Sequence, residues 1–140
     1  MSRWLLALLL HAAAVASAEP PSYHVMMLLY RGCEEACRGF QDHFGRQQVR
    51  ARFTLRDADH DPRRIPGFVA EARRLRPDLV VAWGTTVALE TVGQWDAVDR
   101  SRHIADIPVV FMAVSDPLQS RLVPTLAGSG RNLAGTLYLL

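Results

Sequence analysis

IPVVFMAVSDP, residues Ile107–Pro117, is an apolar run that breaks abruptly into Ser115-Asp116-Pro117. A continuous Val/Phe/Met/Ala run between two prolines reads as a strand buried on both faces, because helices covering both sides leave no position that must be polar. The polar triplet marks the strand's carboxyl end. In open parallel sheets that end, followed by a helix N-terminus, is where polar loops gather, so Ser115 and Asp116 are candidate site residues on position alone.

Similar runs lie upstream. Tyr23–Tyr30 (YHVMMLLY) reads as the first core strand, ended by Arg31-Gly32, and Leu79–Trp83 as a third, followed by the turn Gly84-Thr85-Thr86. Between them, Ala36, Phe40 and Phe44 recur at helical spacing over Cys33–Gly45, with Glu34 and Glu35 at the positive end of the helix dipole. Val49–Leu55 alternates apolar with Arg and Thr, the period of a half-exposed edge strand. Asp61-Pro62 supplies a cap and a first helical proline, and Ile65, Phe68, Val69, Ala72 and Leu75 continue a helix to Arg76. Val87, Leu89, Val92 and Trp95 make a third helix after the Gly84-Thr85-Thr86 turn, and residues 96–107 read as loop with helical fragments. A fourth helix is expected near Leu118–Leu126, a Gly-rich turn at Gly128-Ser129-Gly130, and a fifth strand over Leu133–Leu140. Alternation of strand and helix predicts an α/β fold, an open parallel sheet with helices on both faces.

A chain of 140 residues with 49% hydrophobic residues suits one globular domain. Its sixteen basic residues, all arginine, face fourteen acidic ones. Arg46–Arg56 and Arg63–Arg76 are interleaved with aspartates and read as solvated surface; without aromatic interleaving to stack bases they do not make a nucleic-acid interface. Arg3, the apolar run Trp4–Ala16 and Ala16-Ser17-Ala18 form a secretory signal peptide over residues 1–18, followed by a flexible leader over residues 19–22. The expected product is exported.

Three loops, Tyr30-Arg31-Gly32, Gly84-Thr85-Thr86 and Ser115-Asp116-Pro117, are expected on one sheet edge, each before a helix whose free N–H groups suit an anion. Thr86 and Asp116 also have the chemistry of helix caps. Together the loops make Arg31, Gly32, Thr85, Thr86, Ser115 and Asp116 the candidate ligand-binding residues. No Gly-x-Ser-x-Gly elbow, Gly-x-Gly-x-x-Gly loop or Cys-x-x-Cys motif occurs, so the reading is binding rather than catalysis, with no cofactor and no metal. In an exported chain Cys33 and Cys37 meet oxidising conditions. On a regular helix their Cα atoms stand about 6 Å apart with poorly placed sulfurs, so a disulfide requires Cys33 in the turn before the helix. The alternative, a zinc site, lacks a second Cys/His pair of suitable spacing.

The motifs Arg76–Thr85 (RPDLVVAWGT), Ile107–Pro117 and Asn132-Leu133-Ala134-Gly135 resemble the periplasmic substrate-binding component of ABC transporters, in the branch with type I periplasmic-binding-protein topology, some of whose members bind aromatic amino acids. The Pro-Gly-Gly usual before that Asn is here Ser129-Gly130-Arg131. The resemblance implies two α/β lobes closing on a small-molecule ligand and presenting it to an ABC permease in the membrane. It implies that residues 23–140 are the N-terminal lobe, incomplete at its carboxyl end. It also implies that Thr85, Thr86, Ser115 and Asp116 line the cleft, with Asp116 pairing a ligand ammonium. A second reading of the same surface is an exported sensor module signalling to a membrane kinase.

Overall fold

The computed structural model describes residues 19–138; the expected signal peptide and the last two residues of the final apolar run lie outside them. The chain runs β1 (Tyr23–Leu29), α1 (Glu35–Arg46), β2 (Ala51–Asp57), a 3-10 turn (Pro62–Arg64) leading into α2 (Ile65–Leu75), β3 (Leu79–Trp83), α3 (Thr85–Val92), β4 (Val109–Val114) and β5 (Leu133–Leu137). The five strands form one parallel sheet in the order β2-β1-β3-β4-β5. The fold is the α/β class the alternation predicts, and β2 occupies an edge.

The unbroken apolar runs are explained by coverage of both faces. From β1, Met26 and Leu28 join Ile65 and Val69 of α2 and Val87 and Val92 of α3 in one core. Val25, Met27 and Leu29 point the other way, toward Cys37, Phe40 and Phe44 of α1. Neither set has room for a polar side chain. Over β4 and β5 the first face is filled by Leu122, Val123, Phe111 and Leu133; on the other, Met112 of β4 is partly buried against the α1-side cluster, and Ala134 through Leu137 of β5 are exposed.

Two expectations are corrected. The helix expected near Leu118–Leu126 is a single turn. Ser120 N–H donates to the Asp116 carbonyl at 3.1 Å and Leu122 N–H to that of Pro117 at 2.9 Å, but Arg121 then adopts left-handed φ 58°. Pro124 provides no N–H to continue the ladder and disfavours helical geometry at Val123. Burial of Leu122 and Val123 in the core fixes the turn instead. The second strand begins at Ala51 rather than Val49, because Gln48 is left-handed (φ 56°) and Val49 N–H closes the end of α1 on the Phe44 carbonyl at 2.9 Å.

The edge strand is tied to α2 by a two-pronged ion pair, Arg56 Nε donating to Glu71 Oε2 at 2.7 Å and Nη2 to Oε1 at 2.6 Å. The hydrogen bonds from Arg56 hold the Glu71 carboxyl below its ordinary range. A carboxyl with a depressed folded-state pKa contributes stability that is present above the unfolded value, about 4.3, and is lost as pH falls through the lower folded value. Glu71→Gln is therefore expected to cost about 0.5–1 kcal/mol at pH 7, a magnitude set by the partial exposure of both side chains. The difference from the unmodified protein should close below about pH 4 as Glu71 itself protonates. Urea denaturation at the two pH values checks this; an equal deficit at both removes the ion pair as its cause.

Candidate functional site

Strand β1 is flanked by the two strands that follow it in sequence, β2 on one side and β3 on the other. The chain leaves β1 through α1 to reach β2, then returns past β1 to place β3 on its other flank. Helix α1 packs on one face of the sheet and α3 on the other. The loops leaving the adjacent strands β1 and β3 therefore diverge, and a crevice opens between them at the carboxyl edge. Here that crevice is a hollow of about 550 Å³.

Each strand end contributes to its wall. After β1 come Tyr30, Arg31 and Gly32, then Glu34 and Ala36 from the start of α1; after β3 come Trp83, Gly84, Thr85 and Thr86; β4 supplies Met112 and Ala113, and β5 supplies Thr136, Leu137 and Tyr138. The β1 loop is held by Gly32 N–H donating to Asp57 Oδ2 at 2.9 Å, while Asp57 Oδ1 accepts from Asp59 N–H at 2.8 Å. Arg31 Nε lies 3.3 Å from Glu34 Oε1, both side chains well exposed. An ion pair so exposed is worth little on its own, which leaves both groups free to exchange partners.

Gly84 has φ 101° and ψ 156°, a region open essentially to glycine alone, and its N–H donates to the Met112 carbonyl at 2.8 Å. This tight turn throws the first turn of α3 onto the rim with no side-chain cap. Helix α1 likewise starts at Glu34 without a capping hydrogen bond. Two helix starts rich in free N–H groups thus flank one hollow. Between β4 and β5 the register shifts from Phe111 to Val114, and Ala113 sits inside the irregularity with φ 55°. A left-handed alanine is sterically costly, and it keeps the Met112-Ala113 backbone on the wall of the hollow.

Of the residues proposed from sequence, Arg31, Gly32, Thr85 and Thr86 meet in this hollow. Ser115 and Asp116 do not line it. Asp116 Oδ1 accepts from Leu118 N–H at 3.1 Å and Gln119 N–H at 2.8 Å, so its carboxylate closes the following turn instead of facing the wall. The acid in the hollow is Glu34, which in the sequence had only the signature of a first-turn helix acid. Thr86 does not cap α3, whose cap position is Gly84. Trp83, Met112 and Ala113 end apolar runs, and the same signal that marked the strands, the last apolar residue before a polar loop, points to them. The contribution of β5 had no local signal.

Cys33 stands before α1 and is bonded to Cys37, their Cα atoms 5.2 Å apart. A second hollow, about 480 Å³, is lined by Arg73, Arg74, Arg76 and Arg100 with His103 and Asp106. Its chemistry is structural. Arg73 donates to the Ser101 and Arg100 carbonyls at 2.5 and 3.3 Å and Arg76 to Asp106 at 2.6 Å, and Arg73, Arg74 and Arg76 lie at the negative end of α2.

No protein-family model matches the chain, and no curated protein matches it either. Solved structures do. It is similar to the ligand-free, open structure of CD0873, a substrate-binding protein with adhesive properties from Clostridium difficile, at 20% identity and TM-score 0.69. A conserved domain protein from Vibrio cholerae matches at 21% identity and TM-score 0.70. An ABC domain in complex with L-Trp from Streptococcus pneumonia matches at 20% identity and TM-score 0.70. Each match covers 84% of this chain and 39% of the other. The chain thus has the α/β fold of part of a substrate-binding protein, and spans well under half the length of the structures it matches.

Proposed function

We propose that this chain supplies the N-terminal lobe of an exported solute-binding protein, which holds a small amino-acid-like molecule in the crevice at the carboxyl edge and presents it to an ABC permease. The observation that carries the reading is the hollow itself. Its volume is that of a small-molecule site, and the uncapped starts of α1 and α3 meet there beside Tyr30, Trp83 and Tyr138. Free N–H groups and Arg31 suit a carboxylate, Glu34 suits an ammonium, and the rings suit an apolar or aromatic side chain. The L-Trp bound by the pneumococcal structure makes L-tryptophan the first molecule to test.

One lobe offers one wall, so the isolated chain should bind weakly. A dissociation constant near 1 mM corresponds to about 4 kcal/mol, and closure by a second lobe would add the rest. Titration of the isotope-labelled chain with L-tryptophan, followed by amide NMR, is expected to move the signals of Gly32, Gly84, Thr85 and Thr86 and to leave those of α2 in place. Saturating L-tryptophan without movement at these amides, or movement centred on the arginine hollow, rejects the reading.

A further inference from the structure

Beside the hollow, a five-residue ring closed by Cys33 and Cys37 links the loop after β1 to the first turn of α1. Cys37 is fully buried against the sheet among Val25, Met27, Leu29 and Val81, an immobile point of the core. Cys33 lies outside the helix, directly after Arg31 and Gly32 and directly before Glu34. The bond therefore joins a fixed residue of α1 to the loop that forms one wall of the hollow. Secondary contacts act on the same point. Arg38 Nη1 donates to the Cys33 carbonyl at 2.8 Å, and Gln41 Nε2 lies 3.3 Å from Cys33 Sγ and 3.7 Å from Cys37 Sγ. Upstream, among the described residues, Gly32 is anchored through its N–H to Asp57 alone, and as a glycine at φ 50° it has the backbone freedom of a hinge.

We propose that the Cys33–Cys37 disulfide is a positioning device for the ligand site: it holds Arg31, Gly32 and Glu34 in the geometry that receives the ligand, while contributing little to the stability of the fold. The proposal rests on the assignment of the hollow as the ligand site. A ring of five residues removes little unfolded-chain entropy compared with one closing a long loop, so its effect on global stability is small. Its effect on the loop is direct. Without the bond, the start of α1 has no capping side chain to keep it wound, and the wall exchanges among several conformations. If the receptive one is then populated about a tenth of the time, affinity falls about ten-fold by that factor alone.

The test compares the unmodified oxidised chain with Cys33→Ser/Cys37→Ser. Without ligand, amide hydrogen exchange at residues 31–37 is expected to rise at least about ten-fold while β1 and β3 remain protected and the melting temperature falls by only a few degrees. With L-tryptophan as probe, affinity is expected to fall about ten-fold. Cys33→Ala/Cys37→Ala, which restores the apolar character of the buried position, should show the same exchange and affinity. Unchanged exchange at residues 31–37, a global loss of protection in both double variants, or increased exchange with unaltered affinity each overturns the proposal. Should L-tryptophan leave the hollow's signals unmoved in the oxidised chain, the assignment of the site falls, and with it the ligand role of the bond, whatever the exchange shows.

Discussion

Gly135→Ala is expected to destabilise the protein by about 3 kcal/mol, lowering its melting temperature by about 10 °C, although it adds a single methyl to an exposed strand. Gly135 pairs with Phe111 across the β4–β5 ladder, and a Cβ built there would run into both the Phe111 ring and the Phe111 carbonyl oxygen. A ring can rotate away; the carbonyl cannot without breaking the ladder. The double variant Phe111→Leu/Gly135→Ala should therefore be destabilised by close to the sum of the two single variants, because the backbone collision remains. Chemical denaturation of the two single variants and the double one measures this. A Gly135→Ala protein within 1 kcal/mol of the parent shows that β5 can move aside.

Arg131→Ala is expected to cost a similar amount for a different reason. The guanidinium donates to the Val92 and Gly93 carbonyls, both at 2.7 Å, and to the Leu122 carbonyl at 2.9 Å. The first two lie at the negative end of α3, whose backbone acceptors have no partners within the helix. The third belongs to the turn between β4 and β5. Hydrogen bonds to a charged donor contribute about 1.5–3 kcal/mol each and are not additive, so about 3 kcal/mol for the group is the expected loss. Burial lowers the Arg131 pKa, yet so basic a group stays charged at neutral pH. Arg131→Lys replaces a flat fork by a compact ammonium that cannot reach three divergent carbonyls, and should restore less than half. Urea denaturation separates the outcomes; full restoration by lysine would show that charge alone, not the fork, holds α3. Because the other end of α3 forms the rim of the hollow, the alanine variant is also expected to weaken the binding proposed there, read with L-tryptophan as probe.

The central strands were legible because burial on both faces writes itself into the sequence as an unbroken apolar run: Met26 through Leu29 and Val80 through Ala82 have no solvent to meet. The loops at their ends were legible for the same reason, as the first polar residues after each run. The short turn after β4 was not. Asp116-Pro117 is a good helix start, and only the demand of the core for Leu122 and Val123, with Pro124 behind them, cuts the helix to one turn. Asp116 illustrates the ambiguity of a carboxylate at a strand end, since capping and ligand binding require the same chemistry and only direction distinguishes them. Arg131 was hidden by distance: its partners lie 9, 38 and 39 residues away, and nothing local separates it from the other fifteen arginines.

The two rims of the sheet differ in how they meet a stray strand. Strand β2 carries the exposed Arg52, with exposed Arg50 just before it, so an approaching strand must strip the hydration of these charges before it can pair. Strand β5, Leu-Ala-Gly-Thr-Leu, is uncharged, open on its outer edge among the described residues, and followed by an exposed tyrosine. Among the described residues, then, the charged guard lies on the β2 side of the sheet, away from the strand that completes the wall of the hollow.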